Sequence, residues 1–101
     1  MMEKHSKTHT SFLRRVLVAY LIDTGSNTIP LIIEVTGMPR RTAQDTIKAL
    51  QEIEIKAEVL NRGEYRIADW GAVNRDWVTK NVEHMCNVLS YPYLDENSST
   101  R

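Results

Sequence analysis

The sequence predicts a mainly helical α+β fold, with a few helices and one small β-hairpin around a single core. Three observations predict it. Apolar residues recur at spacings of three and four in three segments, whereas the stretch IKAEVLNRGEYRIA (55–68) switches to a period of two. Glycine and proline fall at the ends of the helical segments and not in their interiors. The chain has 101 residues, 42% hydrophobic and 26% charged, which suits one domain with one core.

Taken in order, each element has its own warrant. Residues 1–10 (MMEKHSKTHT) are polar, mixed in charge and aperiodic, and read as a flexible tail. Ser11, with Thr10 as the alternative, is the candidate cap of a first helix that runs to about Thr24 and stops at Gly25. Phe12, Leu13, Val16, Leu17, Tyr20 and Leu21 form one wide apolar face. Val18 and Ile22 fall on the other side, flanked by Arg14 and Arg15, and need a partner of their own. Asn27, Thr28 and Ile29 predict a very short strand. Leu31 to Val35 is β-branched enough for another strand, yet Pro30 before it and Thr36-Gly37 after it favour a short helix.

From Pro39 the helical period returns, with Pro39 in the first turn. Ala43, Ile47, Leu50 and Ile53 or Glu54 share one face, and Arg40, Arg41, Gln44, Asp45, Lys48 and Gln51 lie outside. In the period-two stretch, a two-residue Arg62-Gly63 turn would mix the faces. A three-residue Asn61-Arg62-Gly63 loop instead pairs Val59 with Tyr65 and Ala57 with Ile67, and sets Glu58 opposite Arg66. Such loops want a left-handed residue late, which Gly63 supplies. From about Asn74 to Ser90 a last amphipathic helix carries Trp77, Val78, Val82, Met85, Cys86 and Leu89 on one stripe. Tyr91-Pro92-Tyr93-Leu94 ends it, and DENSSTR (95–101) reads as disordered. The predicted order is therefore α-β-α-α-β-β-α.

Composition excludes several classes of function. Val16 to Ile22, the longest apolar run, is too short to span a bilayer, so no membrane role is expected. The N-terminus shows no secretory pattern, and the single cysteine, Cys86, supports no disulfide framework, so a cytoplasmic location is expected. No Gly-rich phosphate loop, paired carboxylates or catalytic triad is visible, and the protein is expected not to be an enzyme and to need no cofactor. His5 and His9 are i,i+4 neighbours in an unstructured stretch, and His84 and Cys86 diverge on a helix; neither pair predicts a metal site. The formal net charge is zero, but residues 1–50 hold seven Lys/Arg against four Asp/Glu, whereas residues 51–101 hold six against nine. The positive half keeps a polyanion partner open if its charges share a face.

One stretch, TGMPRRTAQDTIKAL (36–50), has the arrangement of a tight turn and the second helix of a helix-turn-helix unit. Gly37 supplies the bend, Met38 plugs the turn into the core, and small Ala43 sits where two helices cross. Over about residues 11–70 the chain resembles the winged helix-turn-helix family of prokaryotic DNA-binding proteins. YRIADWGAVNRDWV (65–78) further resembles a little-studied prokaryotic subgroup of it. One departure stands out: many members carry Gly where the recognition helix passes into the wing, and here Glu54 occupies that place, so the exit is expected to differ.

The resemblance implies sequence-specific binding of double-stranded DNA by a prokaryotic transcriptional regulator, with the helix from Pro39 in the major groove and the Asn61–Gly63 hairpin as the wing. Arg40 and Arg41 would offer a bidentate contact to guanine, Gln44 a contact to adenine, and Asp45 an acceptor for cytosine unless it pairs with Lys48. Thr36, Thr42 and Lys48 would meet phosphates, and Arg62 the minor groove or the backbone. His5, Lys7 and His9 would trail along phosphates. A winged-helix module for protein–protein interaction, without DNA binding, is the alternative. Residues 71–94 are expected to drive homodimerisation, with Val18, Ile22, Trp77, Val78, Val82, Met85 and Leu89 at the seam, unless that stripe caps the monomer's own core. No small-molecule effector is expected.

Overall fold

Ser6, and not Ser11 or Thr10, caps the first helix. The computed structural model describes residues 5–92, and in it helix α1 runs from Lys7 to Asp23. The Ser6 hydroxyl accepts from the His9 amide at 3.0 Å, so residues 7–10 of the expected tail form the first turn of α1. Residues 1–4, Tyr93-Leu94 and the tail 95–101 lie outside the described residues.

Helix α2 spans Ile29–Thr36, with Thr28 as its cap and Pro30 in its first turn, as its flanks predict. It ends on Gly37, left-handed at φ 78°, whose amide bonds to the Ile33 carbonyl at 2.7 Å. Met38 is buried in the turn that follows. Helix α3 spans Arg40–Lys48 and continues as a tighter 3-10 segment, Ala49–Ile53. Pro39 stands one place before the first turn, with an extended ψ of 152°.

Strands β1 (Lys56–Val59) and β2 (Tyr65–Asp69) form an antiparallel hairpin. Its register is the expected one: Ala57 faces Ile67, Glu58 faces Arg66 and Val59 faces Tyr65. The Glu58–Arg66 pair closes at 2.6 Å on the exposed side. Arg62 as well as Gly63 is left-handed, at φ 64° and 76°. The strand expected over 27–29 is not formed. What remains of it is one bond, from the Tyr65 amide to the Asn27 carbonyl at 2.8 Å, because Thr28 and Pro30 already commit Ile29 to α2.

The last helix is two. Helix α4 (Arg75–Lys80) is capped by Asn74, and α5 (Val82–Leu89) follows after a break at Asn81. Asn81 bonds through its side-chain amide to the Trp77 carbonyl at 2.7 Å and through its own carbonyl to the Met85 amide at 3.0 Å, ending one helix and starting the other. Two ion pairs brace α1: Arg75 to Asp23 at 3.0 Å and Arg15 to Glu52 at 3.4 Å.

Burial corrects the expected dimer seam. Helix α1 lies between two apolar clusters. Val18, Ala19, Leu21 and Ile22 pack with α2, α3 and Leu50, and Leu13, Val16 and Leu17 pack with Val78, Val82, Met85 and Cys86. Val18 and Ile22 are thus covered by the chain itself, at 0% and 4% exposure, and Val78, Val82 and Met85 likewise cap the chain's own core. None of these five presents a surface to a second copy. Of the expected seam, Trp77 stays exposed at 42% and Leu89 is half-buried. Trp70, Val73, Tyr20, Ile53 and Tyr91 touch both clusters and join them. Each fully buried aliphatic side chain contributes about 2 kcal/mol of transfer free energy.

Candidate nucleic-acid interface

Helix α3 presents a polar face because its apolar residues all point inward. Ala43, Thr46 and Ile47 are buried; Arg40, Arg41, Gln44, Asp45 and Lys48 are exposed on the opposite side. Arg40 and Lys48 have no ion-pair partner among the described residues. Arg41, with its side chain 90% exposed, approaches Asp45 at 3.9 Å. Asp45 therefore pairs one turn back with Arg41, not forward with Lys48. The N-terminus of α3 has no side-chain cap and no acidic residue in its first turn. Its first amides thus point outward beside two guanidinium groups, an arrangement that favours anions.

Two concave surfaces flank this face. On one side, an open groove of about 830 Å³ separates α3 from the hairpin and is lined by Gln44, Lys48, Gln51, Lys56, Glu58 and Tyr65. Its charge is mixed, since Glu54 and Glu58 stand beside Lys48 and Lys56. On the other side, a smaller polar cleft of about 230 Å³ lies between α1 and α3, lined by Ser11, Arg14, Arg15, Thr42, Asp45 and Thr46.

The other expected contacts are scattered. Thr36 is buried, and its hydroxyl donates to the Ile32 carbonyl at 2.8 Å and accepts from the Met38 amide at 3.2 Å; it holds the turn and cannot reach a phosphate. Thr42 is half-buried in the smaller cleft. Arg62 is exposed at the hairpin tip, past the end of the larger groove, and has no ion-pair partner among the described residues. His5 and His9 stack edge to face, with centroids 5.1 Å apart, and Lys7 and His9 belong to the first turn of α1. No group of three or more His, Cys, Asp or Glu side chains among the described residues is arranged to hold a metal ion. His84 and Trp77 meet at a near-perpendicular ring angle of 88°, while Cys86 is buried.

Sequence reading missed Arg14, Arg15 and Lys56 as members of this surface. Lys56 carries a visible signal, its alternation on the strand after α3. Arg14 and Arg15 carry none that one helix alone can give, because their place beside α3 depends on how α1 crosses it.

A three-helix unit with a tight glycine turn, followed by a two-stranded hairpin and an exposed basic helix face, defines a winged helix. The comparisons agree: a family model described as "Winged helix-turn helix" matches residues 7–89, and the chain belongs to that family. A solved DUF2131 family protein from Shewanella amazonensis SB2B is similar, at 32% sequence identity and a TM-score of 0.82, covering 97% of this chain and 98% of that one. No curated protein matches. No described helix is long and apolar enough to cross a membrane.

Proposed function

We propose that this protein binds double-stranded DNA sequence-specifically, as a prokaryotic transcriptional regulator acting in the cytoplasm. Helix α3 enters the major groove and the Asn61–Gly63 hairpin serves as the wing. The observation that carries the reading is the outward face of α3, where an uncapped helix start, Arg40 without a carboxylate partner, Gln44 and Lys48 stand together. Arg40 and Arg41 read guanine, Gln44 reads adenine, and Asp45 either accepts from cytosine or restrains Arg41. Thr42 and Lys48 position the protein on phosphates, and Arg62 meets the backbone or the minor groove. No catalytic step enters this reading.

Salt dependence is the test. Each phosphate neutralised contributes about −0.9 to the slope of log K against log salt concentration. With Lys48 and Arg62 on phosphates, the expected slope is about −2 per chain, and raising salt from about 50 to 200 mM weakens binding on the order of 10-fold per chain. Fluorescence anisotropy with a labelled duplex library measures it. Absence of duplex binding even at low salt would replace this reading with a protein-interaction module.

The reading extends to a homodimer. The apolar groove between α1 and α4, about 420 Å³, is flanked by Phe12 and Trp77, respectively 39% and 42% exposed, with Ile53 and Val73 at its base. A second copy seated there buries both rings and presents two α3 helices to successive half-sites. Sedimentation equilibrium at tens of micromolar is expected to find a dimer that Trp77→Ala returns to monomer. A parent protein that stays monomeric at that concentration rules the dimer out.

A further inference from the structure

Resting on the duplex-binding reading, we propose that the cleft between α1 and α3 holds a backbone phosphate of the DNA strand beside the recognition helix, with Arg14 as its cation. Five groups of the lining bear on this: Arg14, Arg15, Ser11, Thr42 and the Asp45 carboxylate. Charge accounting selects Arg14 among them. Arg15 is paired with Glu52 at 3.4 Å, which offsets its charge, whereas the Asp45 carboxylate lies 3.9 Å from Arg41 in a loose, exposed contact that offsets it only weakly. Arg14 has no carboxylate partner among the described residues. Its Nε donates to the Tyr91 hydroxyl at 3.3 Å, which uses one of the five guanidinium donors and fixes the group from behind. Tyr91, just past α5, is thus a positioning residue for a contact made by α1.

The location fits this ligand. A helix lying in a major groove has one sugar-phosphate strand along each side, and α3 has a concave surface on each side. The hairpin side carries Lys48 and Lys56 beside Glu54, its Glu58 being taken by Arg66 at 2.6 Å, and the α1 side adds a guanidinium without a carboxylate partner together with the Ser11 and Thr42 hydroxyls as hydrogen-bond donors. The strand on the α1 side is therefore held by Arg14, as the opposite strand is by Lys48. Such a contact carries no sequence information.

The test compares the parent with Arg14→Gln and Ser11→Asp on two unrelated duplexes across a salt series. Losing one phosphate contact removes about 0.9 from the slope, which at 0.1 M salt corresponds to roughly eightfold weaker binding. Arg14→Gln is expected to show that loss equally on both duplexes, with its helical circular dichroism intact and its melting temperature lowered by at most a few degrees through the lost bond to Tyr91. Ser11→Asp, which places a carboxylate in the cleft, is expected to weaken binding at least as much. Unaltered affinity and slope in both variants would overturn the proposal, as would a loss confined to one duplex. A parent that binds neither duplex brings down the DNA reading itself and this contact with it, an outcome separate from a parent that binds and variants that match it.

Discussion

Gly71→Ala is expected to destabilise the protein by about 3 kcal/mol, the sum of a left-handed backbone and a steric overlap. Gly71 has φ +60°, and a Cβ there would stand 1.9 Å from the Glu54 carbonyl oxygen and 2.8 Å from its carbon. The obstruction is backbone, so no side-chain rotation relieves it. Nor can Glu54 move easily. It is left-handed itself, at φ 71° and ψ 16°, between an amide bonded to the Gln51 carbonyl at 3.1 Å and Ile55, whose amide bonds to the Leu50 carbonyl at 3.1 Å. Ile55 and Leu50 are both fully buried, so shifting that segment would disturb the core under α3. Shifting the other side would pull Trp70 and Val73 away from the two clusters they join. For a domain of this size, about 3 kcal/mol lowers the melting temperature by roughly 15 °C. Calorimetry or urea unfolding with an unchanged m-value checks it; a drop of only a degree or two would mean that the 69–73 turn gives way freely.

Gly71 also explains an expectation that missed. Family pattern suggests glycine at the exit of the recognition helix, so Glu54 should alter that exit. In fact Glu54 adopts the left-handed conformation that glycine would, and the glycine requirement appears instead at Gly71, which lies against its carbonyl. Local propensity is a small term, and the junction between α3, the hairpin and the 69–73 turn outweighs it.

What was legible follows the same division. The hairpin register could be derived because a period of two, a charge pair and one glycine leave a single consistent alignment, and all three lie within fifteen residues of each other. The polar face of α3 was legible for the same reason, since three-and-four spacing is a property of one helix. Partners across the core were not. Val18 and Ile22 look orphaned on a helical wheel, yet α1 is wrapped on both sides, and periodicity cannot say which neighbour covers which face. Arg14 escaped as a site residue because it joins the candidate surface only through the crossing of α1 with α3. The start of α1 was missed because a lone Ser6 in a polar stretch gives no apolar signal, and the break at Asn81 because α4 and α5 keep one apolar stripe across it.

Changing Arg40 and Arg41 together to alanine is expected to weaken duplex binding by 10²–10³-fold on the order of magnitude that two bidentate base contacts supply. The fold should tolerate the change. Both side chains are exposed, and the single ion pair they make, Arg41 with Asp45 at 3.9 Å, is a surface contact worth little. Alanine also has a higher helix propensity than arginine, so the melting temperature should hold. The two arginines are not expected to be equivalent. Removing Arg41 leaves the Asp45 carboxylate, 67% exposed in its side chain, uncompensated on the face that meets phosphates. Arg41→Ala should therefore weaken binding more than Arg40→Ala at low salt, and adding Asp45→Ala should recover part of that excess. Anisotropy titrations of the four variants measure each term, and circular dichroism confirms that the helices persist. If the double variant binds duplex DNA as tightly as the parent with its fold intact, α3 does not lie in the groove. The remaining cations, on the wing and on α1, would then have to account for any affinity by backbone contacts alone, which hold DNA without reading it.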